Sequence, residues 1–128
     1  MKKIPFRYIN RLVAVECLIK GTNYETRLTM AIDTGSVFST ISSNVLDFIG
    51  FDTIDSKPYQ VITASGEIQS QLVAVPSITI FGAIHPRFTV LKHLLPDNIQ
   101  IDGLLGLDFF KQKKLELDFR DNTITISI

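Results

Sequence analysis

The chain has 128 residues, of which 45% are hydrophobic, and its 13 basic and 13 acidic side chains give a formal net charge of zero. This composition predicts one folded domain over residues 1–128 and excludes an intrinsically disordered chain. Balanced charge removes the electrostatic attraction that drives binding to nucleic acid or anionic membranes, so we expect neither as a partner.

The cysteine content and the first residues bear on the cellular compartment. Cys17 is the one cysteine, so a disulfide within the chain is impossible, and its apolar surroundings predict a small core or interface residue. Pro5 and Arg7 interrupt the stretch after Lys2, which therefore lacks the apolar core of a signal peptide. No stretch approaches the roughly twenty apolar residues of a membrane helix. We expect a reducing, cytoplasmic setting.

The first third of the chain reads as short strands. Residues 4–9 predict an edge strand, where Pro5 is tolerated. Residues 12–19 and 24–32 predict a hairpin closed by the turn at 20–23.

The second arm of this hairpin ends in an apolar run that is followed at once by Asp33, Thr34, Gly35 and Ser36. We interpret it as a buried strand that carries Asp33 into a sharp turn. Gly35 is expected to adopt a backbone conformation closed to residues with a Cβ. The hydroxyls of Thr34 and Ser36 can bond the carboxylate or nearby backbone groups. A carboxylate held in this way suits acid–base chemistry, although a bare Asp-Thr-Gly is also an ordinary turn sequence.

A short helix and a hairpin follow the turn. Residues 39–42 predict a strand and 44–49 a helix that Ser42 or Ser43 caps and Gly50 ends, before a loop at 52–57. Strands at 59–63 and 67–75 flank Ala64, Ser65 and Gly66, which predict a small, flexible hairpin tip.

Residues 77–81 and 87–91 predict a further strand pair across a loop at 82–86, and 94–100 predict a loop. His85 and His93 have no metal-ligand spacing to each other or to the cysteine, so we interpret them as ordinary surface residues. We expect no metal or other cofactor.

The last informative stretch runs from Ile101 to Phe110. Gly103 and Gly106 bracket a leucine pair and predict close backbone approach, and a short helix to about residue 112 follows. Strands are predicted at 115–119 and 123–128, and the last strand would leave an unpaired edge. The chain therefore reads as all-β, with seven to ten short strands and two short helices in a closed or sandwiched fold.

Together these features resemble the retropepsin-like aspartic proteases, the single-domain relatives of retroviral proteases. The resemblance rests on the Asp33-Thr34-Gly35-Ser36 turn, the hairpin about thirty residues later, and the segment from Gly103 to Asp108 before a final strand. It implies a closed β-barrel-like acid protease fold with one lobe per chain and a flap hairpin. It also implies an aspartic endopeptidase that acts on an extended peptide or protein substrate.

The resemblance further implies a C2 homodimer. The chemistry uses two carboxylates about 3 Å apart that share one proton, and this chain has one Asp-Thr-Gly. A twofold axis would place Asp33 beside its own copy. Thr34 would then bond across the axis, and Gly35 would shape the turn and contact the substrate. Ser36 would bond the outer oxygen of Asp33.

Two further implications concern the flap and the chain ends. Ala64, Ser65 and Gly66 would form the flap tip over the substrate. Residues 1–9 and 123–128 would interleave with the partner's ends and cover the edge of the last strand.

The sequence departs from the retroviral pattern in one respect. Retroviral members usually carry alanine and then acidic residues where Ser36, Val37 and Phe38 stand, and an arginine where Leu107 stands. In those members the arginine pairs with one of the acidic residues, and this ion pair braces the loop. Because both of its positions are apolar here, we expect packing to replace the ion pair.

Two other interpretations stay open. The chain is either a binding or scaffold module on the same fold without turnover, or a β-domain unrelated to proteases in which Asp33 is only a turn residue.

Overall fold

The structure, a computed structural model, describes residues 2–54, 59–63 and 66–127. Most of these residues lie in strands, as predicted. The strands are β1 Lys2–Pro5, β2 Arg7–Ile9, β3 Leu12–Lys20, β4 Glu25–Ile32, β5 Thr40–Ser42, β6 Asp52–Thr53, β7 Tyr59–Thr63, β8 Gly66–Ile80, β9 Ala83–His93, β10 Gly103–Leu105, β11 Lys114–Asp118 and β12 Thr123–Ser127. Two short α-helices, α1 Ser43–Ile49 and α2 Leu107–Phe110, and a 3-10 turn at Asp97–Ile99 join them.

Six strands close into a ring, which confirms the expectation of a closed β fold. The strand order runs β3, β4, β10, β5, β9 and β8, and β8 returns to pair with β3. Closure leaves these six strands without a free edge. Strands β2, β6 and β7 attach outside the ring, to β3, β8 and β8 respectively.

Alternation along the strands places the core inside the ring. In β3, Val15, Cys17 and Ile19 are buried, whereas Glu16 is exposed, because successive side chains point to opposite faces. The burial predicted for Cys17 is confirmed. Each buried isoleucine or leucine contributes about 1.5–3 kcal/mol to folding. The largest fully buried side chains are Ile19, Leu28, Met30, Ile41, Leu46, Ile49, Ile78, Ile80, Leu105, Ile124, Val73 and Val75.

Helix α1 packs its apolar side on the ring and ends at a glycine, as predicted. Leu46 and Ile49 are buried. Gly50 has a φ of 87°, and its N–H donates to the Leu46 carbonyl. Ser42 occupies the N-cap position, but its side chain makes no capping hydrogen bond.

Strand β7 has the predicted bounds, whereas β8 and β9 are longer than predicted. Strands β7 and β8 form the expected hairpin, whose tip residues Ala64 and Ser65 lie outside the described residues. Strand β8 runs on through Pro76, where the sequence predicted a break, because its pairing with β9 skips the proline and resumes at Ser77 opposite Pro86.

Two predicted loops were wrong in part. The turn between β8 and β9 is Phe81–Gly82, both with positive φ, instead of a loop at 82–86. The predicted loop at 52–57 begins with β6, which pairs with Ala74 and Val73, and residues 55–57 lie outside the described part.

The chain ends form a separate three-stranded sheet in the order β1, β12, β11. Two predictions were wrong here. Residues 4–9 are not one strand, because Phe6 interrupts them and its N–H donates to the Asn122 carbonyl (2.9 Å). The last strand is not an open edge, because β1 and β11 of the same chain flank it on both sides.

Candidate active site

The loop that carries Asp33 begins at the end of β4, which is paired in parallel with β10. Strand β10 inserts between β4 and β5, and it pairs in parallel with β4 from Met30 opposite Gly103 to Ile32 opposite Leu105. Strands buried on both faces are continuously apolar, as residues 30–32 are. The N–H of Asp33 extends this ladder by donating to the Leu105 carbonyl (2.8 Å).

The Asp33 turn is closed by its own backbone. The Ser36 N–H donates to the Asp33 carbonyl (3.1 Å), and the Gly35 N–H donates to Oδ1 of Asp33 (3.2 Å). Asp33 is partly buried, while Thr34 and Gly35 are exposed. One carboxylate oxygen is therefore held by an amide at the surface of the molecule.

The structure changes the roles expected for two of these residues. The φ of Gly35 is outside the left-handed region, and a Cβ built there would lie 3.4 Å from Asp33 Oδ1, an ordinary contact. Within one chain, the turn therefore does not require glycine at this position. The Ser36 hydroxyl donates to the Phe38 carbonyl (2.8 Å), because the loop folds back beneath it, and not to the Asp33 carboxylate as expected.

The loop then returns along the segment between β10 and α2. The Leu107 N–H donates to the Ser36 carbonyl (2.8 Å), and the Asp108 N–H donates to the Val37 carbonyl (3.1 Å). A Cβ at Gly106 would lie 2.7 Å from the Ser36 carbonyl oxygen and 2.8 Å from that of Phe38. The close approach predicted for Gly106 is confirmed, and so is that of Gly103, whose Cβ would meet the Thr40 carbonyl oxygen at 2.6 Å.

A carboxylate braces the far side of the loop. Asp108 accepts hydrogen bonds from the Ser39 N–H (2.9 and 3.0 Å) and from the Ser39 hydroxyl (2.7 Å). It also accepts one from the Phe109 N–H (2.8 Å), and the Ser39 hydroxyl in turn accepts from the Gly106 N–H (3.0 Å). Ser39 is fully buried.

The expectation that packing replaces the missing ion pair stays a prediction for Val37, Phe38 and Leu107. Val37 and Leu107 are 64% and 44% exposed. A polar brace lies one or two residues away, between Asp108 and Ser39. Sequence reasoning missed both residues. An aspartate in the first turn of a helix indicates a residue that accepts amide hydrogen bonds, but its partner 69 positions away has no local signal.

Of the three residues predicted to form the flap tip, the described part of the chain includes one. Gly66 is the first residue of β8 and pairs with Thr63, whereas Ala64 and Ser65 lie outside the described residues.

The two histidines, His85 and His93, are both partly buried. The ring of His85 meets the ring of Phe109 edge-on at 5.2 Å, and loss of hydration followed by the nearby Lys113 lowers its pKa. His93 lies 3.4 Å from the Ser70 hydroxyl. Over residues 2–54, 59–63 and 66–127, no three histidine, cysteine or acidic side chains gather as a metal site would require.

Concavity alone does not mark the site. An open depression of about 680 Å³ lies on the terminal sheet, between Lys3 and Asp118, and Asp33 does not line it. We assign the candidate site from the chemistry of the Asp33 loop.

Comparison with known protein families decides the relationship. The family model described as "Aspartyl protease" matches residues 15–109, which include both the Asp33 turn and the Gly103–Asp108 segment. This chain belongs to the aspartyl protease family. Strands β1, β2, β11 and β12 of this aspartyl protease homologue lie outside the match.

Solved structures show that the fold is that of the retropepsin-like proteases. A retropepsin-like aspartic protease from Rickettsia conorii is 19% identical with a TM-score of 0.67, and the alignment covers 97% of this chain and 89% of that one. The EIAV protease in complex with the inhibitor HBY-793 is 17% identical with a TM-score of 0.60, covering 82% and 90%. The retroviral protease-like domain of Ddi1 from Leishmania major is 17% identical with a TM-score of 0.58, covering 91% and 88%.

A search of curated proteins finds no match to this aspartyl protease homologue. None of the helices in the described ranges is long and apolar enough to cross a membrane.

Proposed function

We propose that this protein is an aspartic endopeptidase whose active site is completed by a second copy of the chain. The observation that carries the proposal is the placement of Asp33. Its carboxylate is held by the Gly35 amide at the surface end of a buried strand, beside the exposed Thr34. Membership of the aspartyl protease family supports this role.

The bonding of Asp108 is the reason to invoke a second copy. Hydrolysis of an amide by this chemistry needs one carboxylate to take a proton from water and another to hydrogen-bond the scissile carbonyl. Asp108 is the other carboxylate bonded to this loop, and its oxygens are already engaged by Ser39 and Phe109. It is therefore a poor second member, whereas Asp33 of a symmetry-related copy can supply the second carboxylate.

The proposed dyad works as one unit. Two carboxylates about 3 Å apart cannot both ionise, so they share a proton. The ionised member activates the water, and the protonated member polarises the carbonyl of the peptide. Thr34, next to Asp33, would bond across the twofold axis and fix the distance between the two turns. No metal or cofactor takes part in this proposal.

The proposed substrate is an extended peptide. Its backbone would pair with the cleft and with the β7–β8 hairpin, and its side chains would enter apolar pockets. Ala64, Ser65 and Gly66 would close over it and exclude water. Ser36 would support the turn through its bond to Phe38.

Cleavage of a mixed peptide library, read by mass spectrometry over pH 4–7, tests the proposal. We expect wild-type protein and Asp121→Asn, a change at an exposed turn, to cleave, and Asp33→Asn to lose cleavage while keeping its circular dichroism spectrum. Adding excess Asp33→Asn chains to wild type should lower the activity, because mixed dimers hold only one ionisable Asp33.

The same experiments distinguish the proposed protease from a non-catalytic binding module. Cleavage by Asp33→Asn, or activity of wild type that is indifferent to added Asp33→Asn, would contradict the shared dyad. Peptide binding without cleavage by wild type would instead identify a non-catalytic binding module on this fold.

A further inference from the structure

The β7–β8 hairpin joins the ring along one short stretch of β8. Strand β9 pairs with β8 from Ile80 back to Gln71, which lies opposite Lys92. Beyond that pair, β8 has β7 as its partner, and Tyr59 lies opposite Ser70. In the described residues β7 pairs with β8 alone, so no other strand ties it to the ring. The backbone of Ser70 and Gln71, which we call the junction, is therefore where the hairpin can turn against the ring.

A buried side-chain contact lies at the junction. Ser70 is only 5% exposed, and its hydroxyl lies 3.4 Å from Nδ1 of His93, the last residue of β9. His93 is held in the ring, because Ser42 of β5 lies opposite it on the next strand. Across the described ranges, the Ser70 hydroxyl has no other hydrogen-bond partner. Leaving a buried hydroxyl without a partner is unfavourable, so the contact favours the hairpin direction in which Ser70 faces His93.

The second side-chain contact at the junction is weaker. Successive side chains of a strand point to opposite faces, and Gln71 Nε2 lies 3.5 Å from Thr53 Oγ1 on the face opposite to Ser70. This contact is exposed, so water replaces it at little cost. Of the two contacts, the one between Ser70 and His93 is therefore the one that restrains the hairpin.

A hydroxyl beside an imidazole is also found in nucleophilic serine sites, but this pair lacks what such a site needs. The nucleophile must reach its substrate, and the imidazole must be oriented by a third group. Ser70 is buried, and no acidic side chain in the described part of the chain bonds to His93. The pair is therefore suited to hold two strands together and not to attack a substrate.

We propose that Ser70 and His93 are positioning residues that fix the direction of the β7–β8 hairpin for peptide binding. This inference rests on the proposed function, in which the hairpin pairs with the extended peptide. A hairpin that is already held in one direction loses less conformational entropy when the peptide binds. Because neither residue belongs to the Asp33 loop, losing the contact weakens peptide binding and leaves the chemical step at the carboxylates unchanged.

Distances between two spin labels measure the direction of the hairpin. The labels are attached at Glu67→Cys in the hairpin and at Thr89→Cys in the part of β9 that belongs to the ring, in a Cys17→Ser background. An excess of unlabelled chain restricts the measurement to distances within one chain. The width of the distance distribution then reports how firmly the hairpin is held.

Two variants remove the contact, and a third is the matched control. We expect Ser70→Ala and His93→Leu to broaden the distance distribution about twofold, because each removes the buried contact that restrains the hairpin. Ser77→Ala changes a partly buried serine of the same strand, opposite Pro86, and should leave the width unchanged. Equal widths in Ser70→Ala and Ser77→Ala would overturn the proposal.

Peptide affinity and kinetics test the functional role. Ser70→Ala should raise KM and the dissociation constant of a non-cleavable peptide isostere by about fivefold, with kcat within about twofold, because only the cost of ordering the hairpin changes. Ser70→Thr and His93→Asn keep a hydroxyl and a hydrogen-bonding amide, so both should bind the isostere nearly as wild type does. Combining Ser70→Ala with His93→Leu should cost no more than the larger single effect.

The remaining outcomes separate this proposal from the proposed function. A broadened distribution with unchanged isostere affinity, or a fall in kcat at unchanged KM, would overturn the role in peptide binding. So would failure of both conservative variants to restore binding while their circular dichroism spectra match wild type. Because label distances and isostere affinity do not depend on turnover, a wild-type chain that binds the isostere without cleaving peptides would count against the protease alone.

Discussion

Asp108 and Ser39 are 69 positions apart in the sequence, yet the Asp108 carboxylate accepts hydrogen bonds from both the backbone N–H and the hydroxyl of Ser39. The pair joins the end of the Asp33 loop to the start of α2. Because Ser39 is fully buried, water cannot replace the carboxylate as the acceptor for its N–H if Asp108 is removed. The stability of the Asp33 loop therefore depends on a residue outside the Asp-Thr-Gly motif.

Removing this carboxylate should weaken the loop. We expect Asp108→Ala to lower the free energy of unfolding by about 1–3 kcal/mol, because it leaves the Ser39 N–H unsatisfied. Urea denaturation measures the change, with Asp97→Ala, an exposed residue of the 3-10 turn, as the control. Ser39→Ala combined with Asp108→Ala should cost less than the sum of the two single changes. Additive costs would show that the two side chains do not act as a pair.

The glycines of the site should differ in their tolerance to alanine. Gly106→Ala should destabilise by about 1–3 kcal/mol, since its Cβ would meet two backbone carbonyls that cannot move independently. Gly35→Ala should change the free energy of unfolding by less than about 0.5 kcal/mol, because its added Cβ has only an ordinary contact. Denaturation of both variants provides the comparison.

The same Gly35→Ala variant tests why glycine stands there. If it folds normally but does not cleave, the need for glycine lies outside the single chain, in the substrate or the second copy. A large loss of folding stability would contradict the turn geometry.

The buried thiol of Cys17 should make stability fall at high pH. Burial, with smaller effects of Glu16 and Asp102, raises the pKa of Cys17 from its ordinary 9.0 to about 12. Between pH 9 and 12 the unfolded thiol ionises while the folded thiol keeps its proton. The folded state thus binds more protons, and its stability falls as pH rises, by up to about 1.4 kcal/mol per pH unit.

Urea denaturation of wild type and Cys17→Ser at several pH values isolates this effect. The other titrating groups are common to both proteins, so the difference in slope reports Cys17. The two curves should run parallel below pH 9 and diverge above it; parallel curves up to pH 11 would contradict the burial effect.

The His85 imidazole should stay neutral to lower pH than a free imidazole. Loss of hydration, and then Lys113, lowers its pKa from 6.5. The unfolded chain therefore binds the proton first, so the contribution of His85 to stability is present above the unfolded pKa and decreases as pH falls below it. NMR titration of the imidazole measures the midpoint directly.

The contribution of Lys113 is tested by charge removal. Lys113 Nζ donates to the Phe109 carbonyl (2.7 Å) and lies over the Phe109 ring, against which His85 packs. Lys113→Gln should raise the His85 midpoint, while Lys111→Gln, at an exposed position two residues away, should leave it nearly unchanged. Identical midpoints in all three proteins would contradict the role of this charge.

Much of the fold and of the candidate site follows from local pattern. The apolar run before Asp33 predicts a buried strand, and the structure has β4 there, ending at Ile32. The spacing of Gly103 and Gly106 predicts close backbone contacts, which the structure contains. These features are readable because burial and backbone freedom are properties of each residue and its neighbours.

The pairing of strands that are distant in the sequence could not be predicted from local pattern. The sequence predicted a free last strand, whereas the structure has β12 between β1 and β11. Nothing local in the sequence indicated the hydrogen bonds between Asp108 and Ser39. The sequence by itself determined that a carboxylate stands on a tight turn at the end of a buried strand. Only the tertiary structure decided what holds that turn and which strand covers the chain end, because ring closure brings together hydrogen-bonding groups that are distant in sequence and satisfies them there.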